Sequence, residues 1–288
     1  MENKVSIKEV MIAMLSILIL IVSQIVANLI GSIAYVTAIP DWIGNIIFGI
    51  VYVLLTYFLL RILCTKFLKS FLENYGMGRP KLKLVWLISA VLLPSIVSVA
   101  LLCMPGELIS NSVSLSKGTN IITAALFYYG IGAGVVEEMV FRGIVMHTLE
   151  RRWNKVVAIL IPSMAFGLLH LIGREMNFVS ILLLFVAGTS VGIMFSLITY
   201  ESGSVWYSAI IHGIWNCIMI GGVLNIGPTY DSEAIFSYVL KSKSIIITGG
   251  DFGIEASIVS IVGYILFSLL AFYLWKRNQC TSKNKHYI

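Results

Sequence analysis

The stretch "GAGVVEEMVFRG", residues 132–143, sets three charges within six positions of an otherwise apolar run. Outside Glu137, Glu138 and Arg142, the residues from about 121 to 149 are fit for lipid. A charged side chain at the centre of a transmembrane helix costs about 2.5–3.5 kcal/mol on insertion scales. Such residues therefore turn to the interior of a helix bundle and seek partners. Glu138 and Arg142 are four apart, one above the other on a helix, and can neutralise each other. Glu137 points about 100° away around the helix and is left without that partner.

Working outward, the rest of the chain supports a membrane setting. Of 288 residues, 58% are hydrophobic and 12% charged, about half the charged share of a soluble domain. Apolar runs of near-spanning length recur at about 10–31, 42–63, 84–104, 121–149, 156–173, 177–199, 204–224 and 254–275. The fold class expected is all-α: one polytopic bundle of about eight spans over residues 1–288, with 120–220 as its polar core. The fourth run exceeds what a bilayer needs, so it tilts or extends into water. The first run has no small-residue cleavage site behind it and is expected to be retained as a span. The longest loop, about 225–253, is too short to fold alone, and its 241–253 part is expected to be a short hairpin outside the membrane.

Basic residues orient the bundle. Fifteen fall on segments that alternation places on one side: Lys4, Lys8, Arg61, Lys66, Lys69, Arg79, Lys81, Lys83, Arg151, Arg152, Lys155, Lys276, Arg277, Lys283 and Lys285. The other side holds Lys117, Arg174, Lys241 and Lys243. This bias puts both termini in the cytoplasm. It also accounts for the net charge of +6 without nucleic acid as a partner. Trp42, Trp153 and Trp206 lie near span ends and suit interfacial anchoring. The four cysteines show no C-x-x-C spacing, so neither a disulfide framework nor a thiolate zinc site is expected.

Four histidines remain. His286 lies in the polar tail and His147 near the cytoplasmic end of span four. His170 and His212 lie inside spans, in "FGLLH" (166–170) and "HGIWN" (212–216). The second places His212 and Asn216 on one helical face. A carboxylate, two histidines and an asparagine on three spans each prefer the bundle interior, and one shared pocket satisfies all of them. Such a pocket can hydrolyse an amide: a carboxylate beside a histidine deprotonates water, and a second histidine with an asparagine donates to an oxyanion. Glu137, His170 and His212 can equally ligate a metal with a water in the open position, although no H-E-x-x-H occurs. Spacing leaves both chemistries open. His170 lies about fourteen residues up its span and His212 about eight, a depth difference of roughly 9 Å that the pocket has to accommodate.

The order E-E-x-x-x-R, F-x-x-x-H, H-x-x-x-N resembles the three-part pattern of the CPBP family of CAAX-protease and bacteriocin-processing membrane proteins, also called Abi. Here it reads Glu137-Glu138 to Arg142, Phe166 to His170, and His212 to Asn216. Between the last two parts, Gly188 and Gly192 also match, with the spacing of closely approaching helices. The likeness spans about residues 120–220. It implies an intramembrane endopeptidase in which Glu137, assisted by His170, activates water, and His212 and Asn216 form the oxyanion site. Glu138 and Arg142 would support and orient the Glu137–His170 pair. No cofactor is implied, a divalent metal on Glu137, His170 and His212 being the lesser alternative. The expected partners are a peptide or membrane-protein substrate and the lipid bilayer. Short loops, a basic cytoplasmic side and no organelle signal point to a bacterial plasma membrane, where relatives are linked to bacteriocin processing or self-immunity. A non-catalytic immunity or scaffold protein that binds a peptide or membrane partner is the alternative. A proton-conducting transporter fits less well, because no inverted repeat is seen.

Overall fold

The structure, a computed structural model, describes residues 5–37 and 39–285. Lys4 and His286 lie outside the described residues, as do the side chains of Lys283 and Lys285. Eight main helices follow the eight apolar runs: α1 Ile7–Gly31, α2 Asp41–Ile62, α3 Leu84–Leu102, α4 Leu115–Arg152, α5 Lys155–Leu169, α6 Phe178–Ser202, α7 Val205–Met219 and α8 Ile258–Lys285.

Among the described residues, six of these helices are long and apolar enough to cross a membrane. The other two, α5 and α7, have 15 residues each. At 1.5 Å per residue they reach about 22 Å, short of the roughly 30 Å of a hydrocarbon core. The local chemistry explains the early stops. His170 is the C-cap of α5, Gly173 then turns with φ +74°, and Asn177 starts α6 by accepting from the Ser180 N–H. Helix α7 starts at Ser204, whose hydroxyl accepts from the Trp206 N–H, and ends before Gly221-Gly222. These two short helices carry His170, His212 and Asn216.

The two ends of the bundle differ. At the basic end, the connection 63–83 closes over the helices: the Val205 N–H donates to Gly76 O at 3.0 Å, and Trp206 Nε1 to Gly78 O at 2.8 Å. Lys83 Nζ pairs with Glu201 at 2.6 Å, and Trp86 Nε1 donates to the same carboxylate. At the opposite end lies a small three-stranded sheet that the apolar pattern did not reveal. Its strands are β1 Gly106–Ser110, β2 Leu224–Gly227 and β3 Phe236–Leu240, in the order β1-β3-β2. β1 pairs antiparallel and β2 parallel with β3. The segment after β3 is not a hairpin. It forms one helical turn, Ile245–Thr248, then two 3-10 turns, Gly250–Phe252 and Ile254–Ala256.

Helix α4 is not uniform. Two stretches, Ala124–Ala133 and Met139–Val145, have π geometry and flank the α-helical turn Gly134–Glu138. Glycines let α7 cross α4 backbone to backbone. A Cβ at Gly134 would lie 2.7 Å from the Gly213 backbone, and one at Gly213 would lie 2.9 Å from Gly130 O. The Gly188/Gly192 spacing works the same way on α6, where Cβ atoms would meet Gly167 at 2.5 Å and Ser163 at 2.7 Å on α5. These two close crossings bring three motif segments around one interior space.

Candidate active site

The interior space is a cavity of about 260 Å³. Glu137, His170, His212 and Asn216 all line it, with Phe166 and Phe195. The depth difference between the histidines is not removed by a later start of α5, which begins at Lys155. Instead, the Phe166 ring packs against both imidazoles, 4.8 Å from His170 and 5.8 Å from His212.

Glu138 and Arg142 lie behind the cavity, fully buried and 2.9 Å apart. The guanidinium is caged by aromatic faces, 4.7 Å from the Phe166 centroid and 5.2 Å from Phe195. Glu138 Oε1 also accepts from His212 Nδ1 at 3.1 Å. The geometry thus ties the Glu138–Arg142 pair to His212, and among the described residues no hydrogen bond or ion pair ties it to His170. With Nδ1 held by a carboxylate, His212 directs Nε2 at Glu137 Oε2, 3.9 Å away. Its ring is stacked on Phe195 at 5.0 Å, which sets its plane.

His170 is oriented by its own helix. Its Nδ1 lies 2.8 Å from Phe166 O. A carbonyl only accepts, so Nδ1 carries the proton and Nε2 is left as an acceptor. On α7, the Asn216 side-chain N–H donates to Tyr129 O at 3.0 Å, leaving its second N–H uncommitted. Glu137 Oε2 is buried and has no hydrogen-bond partner. An orphaned carboxylate oxygen next to a cavity is the place where a bound water would be held. His147 is held elsewhere, its Nδ1 donating to Arg142 O and Gly143 O at 2.8 and 2.9 Å.

Among the described residues, no three His, Cys, Asp or Glu side chains are grouped to hold an ion. His212 Nδ1 and His170 Nδ1 are committed to Glu138 and to a backbone carbonyl, which leaves Nε2 of each ring without a hydrogen bond.

The sequence reading missed Glu255. It lies on the Ile254–Ala256 turn, 39 residues beyond Asn216, the end of the last motif, and lines the same cavity together with Phe252 and Arg174. Trp215 Nε1, one position before Asn216, donates to Glu255 Oε1 at 2.9 Å. The only available signal was an acidic residue beside a glycine-rich stretch, which is common in solvated loops.

The fold and site together define a multi-pass membrane protein with a buried carboxylate, two imidazoles and an amide around one cavity. Residues 119–218 match the family model of type II CAAX prenyl endopeptidase Rce1-like proteins, a likeness over about a third of the chain that indicates a peptidase. No curated protein and no solved structure matches the chain.

Proposed function

We propose that this chain is an intramembrane endopeptidase that hydrolyses a peptide bond with a water activated by Glu137. The observation that carries this reading is the orphaned Oε2 of Glu137, buried against the cavity and 3.9 Å from His212 Nε2. A water held by that oxygen and by His170 Nε2 gives its proton to the carboxylate as it attacks the scissile carbonyl. The carbonyl oxygen becomes negative, and the donors available to it are the free Asn216 N–H and, with His212 as the imidazolium between the carboxylates of Glu138 and Glu137, His212 Nε2–H. Glu138, with its charge balanced by Arg142, keeps His212 aimed. Glu137 then returns the proton to the departing amine.

The cavity is also lined by Arg174, on the connection after α5, and by Phe252 and Glu255, on the turns before α8 at the same end of the bundle. That end is opposite the basic connections 63–83 and 151–155. With the basic face in the cytoplasm, substrates reach the site from the extracytoplasmic side. A peptide, or the outer flank of a membrane protein, suits this access. We infer a bacterial plasma membrane and a role in peptide or bacteriocin processing or self-immunity.

The test is cleavage of a library of membrane-tethered peptides by protein in detergent. Wild type should cleave, Glu137→Ala should lose about 10²–10⁴-fold in rate, and a chelator should change nothing. Cleavage that survives in Glu137→Ala would remove Glu137 from the mechanism, and cleavage abolished by the chelator would restore the metal alternative.

A further inference from the structure

Glu255 is a second carboxylate in the cavity, and the mechanism above gives it no task. It arrives from outside the motif-bearing helices. Gly249, Gly250 and Gly253 have φ of +77°, +63° and +98°, and they fold the chain back toward the bundle just before it. Asp251 anchors that fold by accepting from the Asn177 backbone and side-chain N–H groups at 2.8 and 2.6 Å. The Asp251 N–H donates to Ser180 Oγ at 3.0 Å. The loop is therefore pinned to the start of α6, and Glu255 faces the same space as Glu137.

Its hydrogen bonding is incomplete. A carboxylate accepts about four hydrogen bonds, and the Glu255 side chain has one among the described residues, from Trp215 Nε1. The nearby basic groups His170, His212 and Arg174 act on it through space, but among the described residues none makes an ion pair with it. The Arg174 guanidinium lies over the Phe252 ring at 4.8 Å, and no ion pair joins Arg174 to Glu255. His170 Nδ1 is committed to Phe166 O. A part-buried carboxylate with open acceptor sites facing a cavity attracts a donor that carries positive charge.

The structure assigns Glu255 as a specificity determinant: it binds a cationic group of the substrate, a Lys or Arg side chain or a free α-amino group, beside the bond that Glu137 attacks. The assignment rests on the proposed peptidase reading for its meaning, but not for its measurement. Trp215 orients the carboxylate, and Asn216, the next residue on α7, belongs to the oxyanion site. Recognition of the cation and positioning of the scissile carbonyl are thus joined on one helical turn. Of the two carboxylates, Glu137 is the reacting group and Glu255 the recognition group.

The experiment uses full-length protein in detergent and membrane-tethered peptides identical except at one position, which holds Lys, Arg, norleucine or Glu. A further pair has a free or an acetylated amino terminus. The ratio of kcat/KM for Lys against norleucine is expected to be about tenfold or more in wild type, the worth of one charge-assisted hydrogen bond. Glu255→Gln keeps an acceptor for Trp215 and should bring that ratio to about one. Glu255→Lys should move the preference to the Glu peptide. Glu175→Gln, which removes a carboxylate outside the cavity, is the control and should leave the ratio as in wild type. If the free amino terminus alone is discriminated, the cation is the α-amino group; if only Lys and Arg are, it is a side chain. A Lys-to-norleucine ratio that is unchanged in Glu255→Gln, or already one in wild type, overturns the assignment. If wild type cleaves none of the peptides, the peptidase reading has failed. Binding of the same peptides to the Glu137→Gln protein, followed by tryptophan fluorescence, then decides on Glu255 alone: tighter binding of Lys than norleucine that vanishes in Glu137→Gln/Glu255→Gln sustains it, and equal binding refutes it.

Discussion

Replacing Arg142 with Met keeps most of its apolar stem and removes its charge. Arg142 and Glu138 are both inaccessible to solvent, 2.9 Å apart, and the guanidinium also packs over the Phe166 and Phe195 faces at 4.7 and 5.2 Å. Taking away Arg142 leaves the Glu138 carboxylate desolvated and held by His212 Nδ1 alone, which costs up to about 3–5 kcal/mol. Arg142→Met should therefore lower unfolding stability by about that amount, measured by denaturant titration in mixed micelles with tryptophan fluorescence. The desolvated Glu138 charge is the physical cause, so removing it as well should restore stability. Glu138→Leu/Arg142→Met should lie within about 2 kcal/mol of wild type, since apolar replacement of a buried pair is often nearly neutral. Activity should not return with stability, because His212 Nδ1 loses the carboxylate that aims it. A loss below about 1 kcal/mol in Arg142→Met, or a double variant as unstable as the sum of the singles, would refute the buried-pair reasoning. A stable double variant with wild-type cleavage would refute the link through His212.

Three further outcomes follow from the geometry. Gly213→Val places a side chain within 2.9 Å of Gly130 O and pushes α7 from α4; it should cost about 1–3 kcal/mol in the same titration and separate His212 from Glu138. Glu255 lies outside the membrane-spanning segments, and burial pushes its carboxyl above the usual carboxylate range, offset in part by Trp215, His170, His212 and Arg174, with Tyr264 also facing it. A raised value in the folded state means that its stabilising share is fully present below the ordinary carboxylate range and is lost as pH rises through the folded value; wild type should lose stability over that window relative to Glu255→Gln, and parallel pH curves would contradict this. In a cysteine-free background, an impermeant maleimide applied to intact cells should label Glu175→Cys and not Arg79→Cys, and the reverse pattern would invert the membrane orientation.

Much of the site was legible because intramembrane charge is expensive. Glu137, Glu138, Arg142, His170, His212 and Asn216 stand out in apolar runs, and only a shared interior space accommodates them all. The partners were less legible. An i, i+4 spacing suggests that Glu138 meets Arg142, but nothing in the spacing says that Glu138 also holds His212, because that contact depends on how deeply Gly130, Gly134 and Gly213 let two helices approach. The lengths of α5 and α7 were also misjudged. Hydropathy continues past His170 and Met219, while hydrogen bonding stops at the cap and the Gly221-Gly222 turn.

The sequence by itself determined the helical membrane bundle and the polar residues of the core, since both follow from the cost of placing a charge or an open backbone in lipid. Only the tertiary structure decided which polar atoms meet, that a sheet covers one end, and that Glu255 enters the cavity. Those outcomes depend on packing between segments distant in the chain. A loop carboxylate has no periodicity or hydropathy to announce it, and its setting appears only when Gly249 to Gly253 fold it against Trp215.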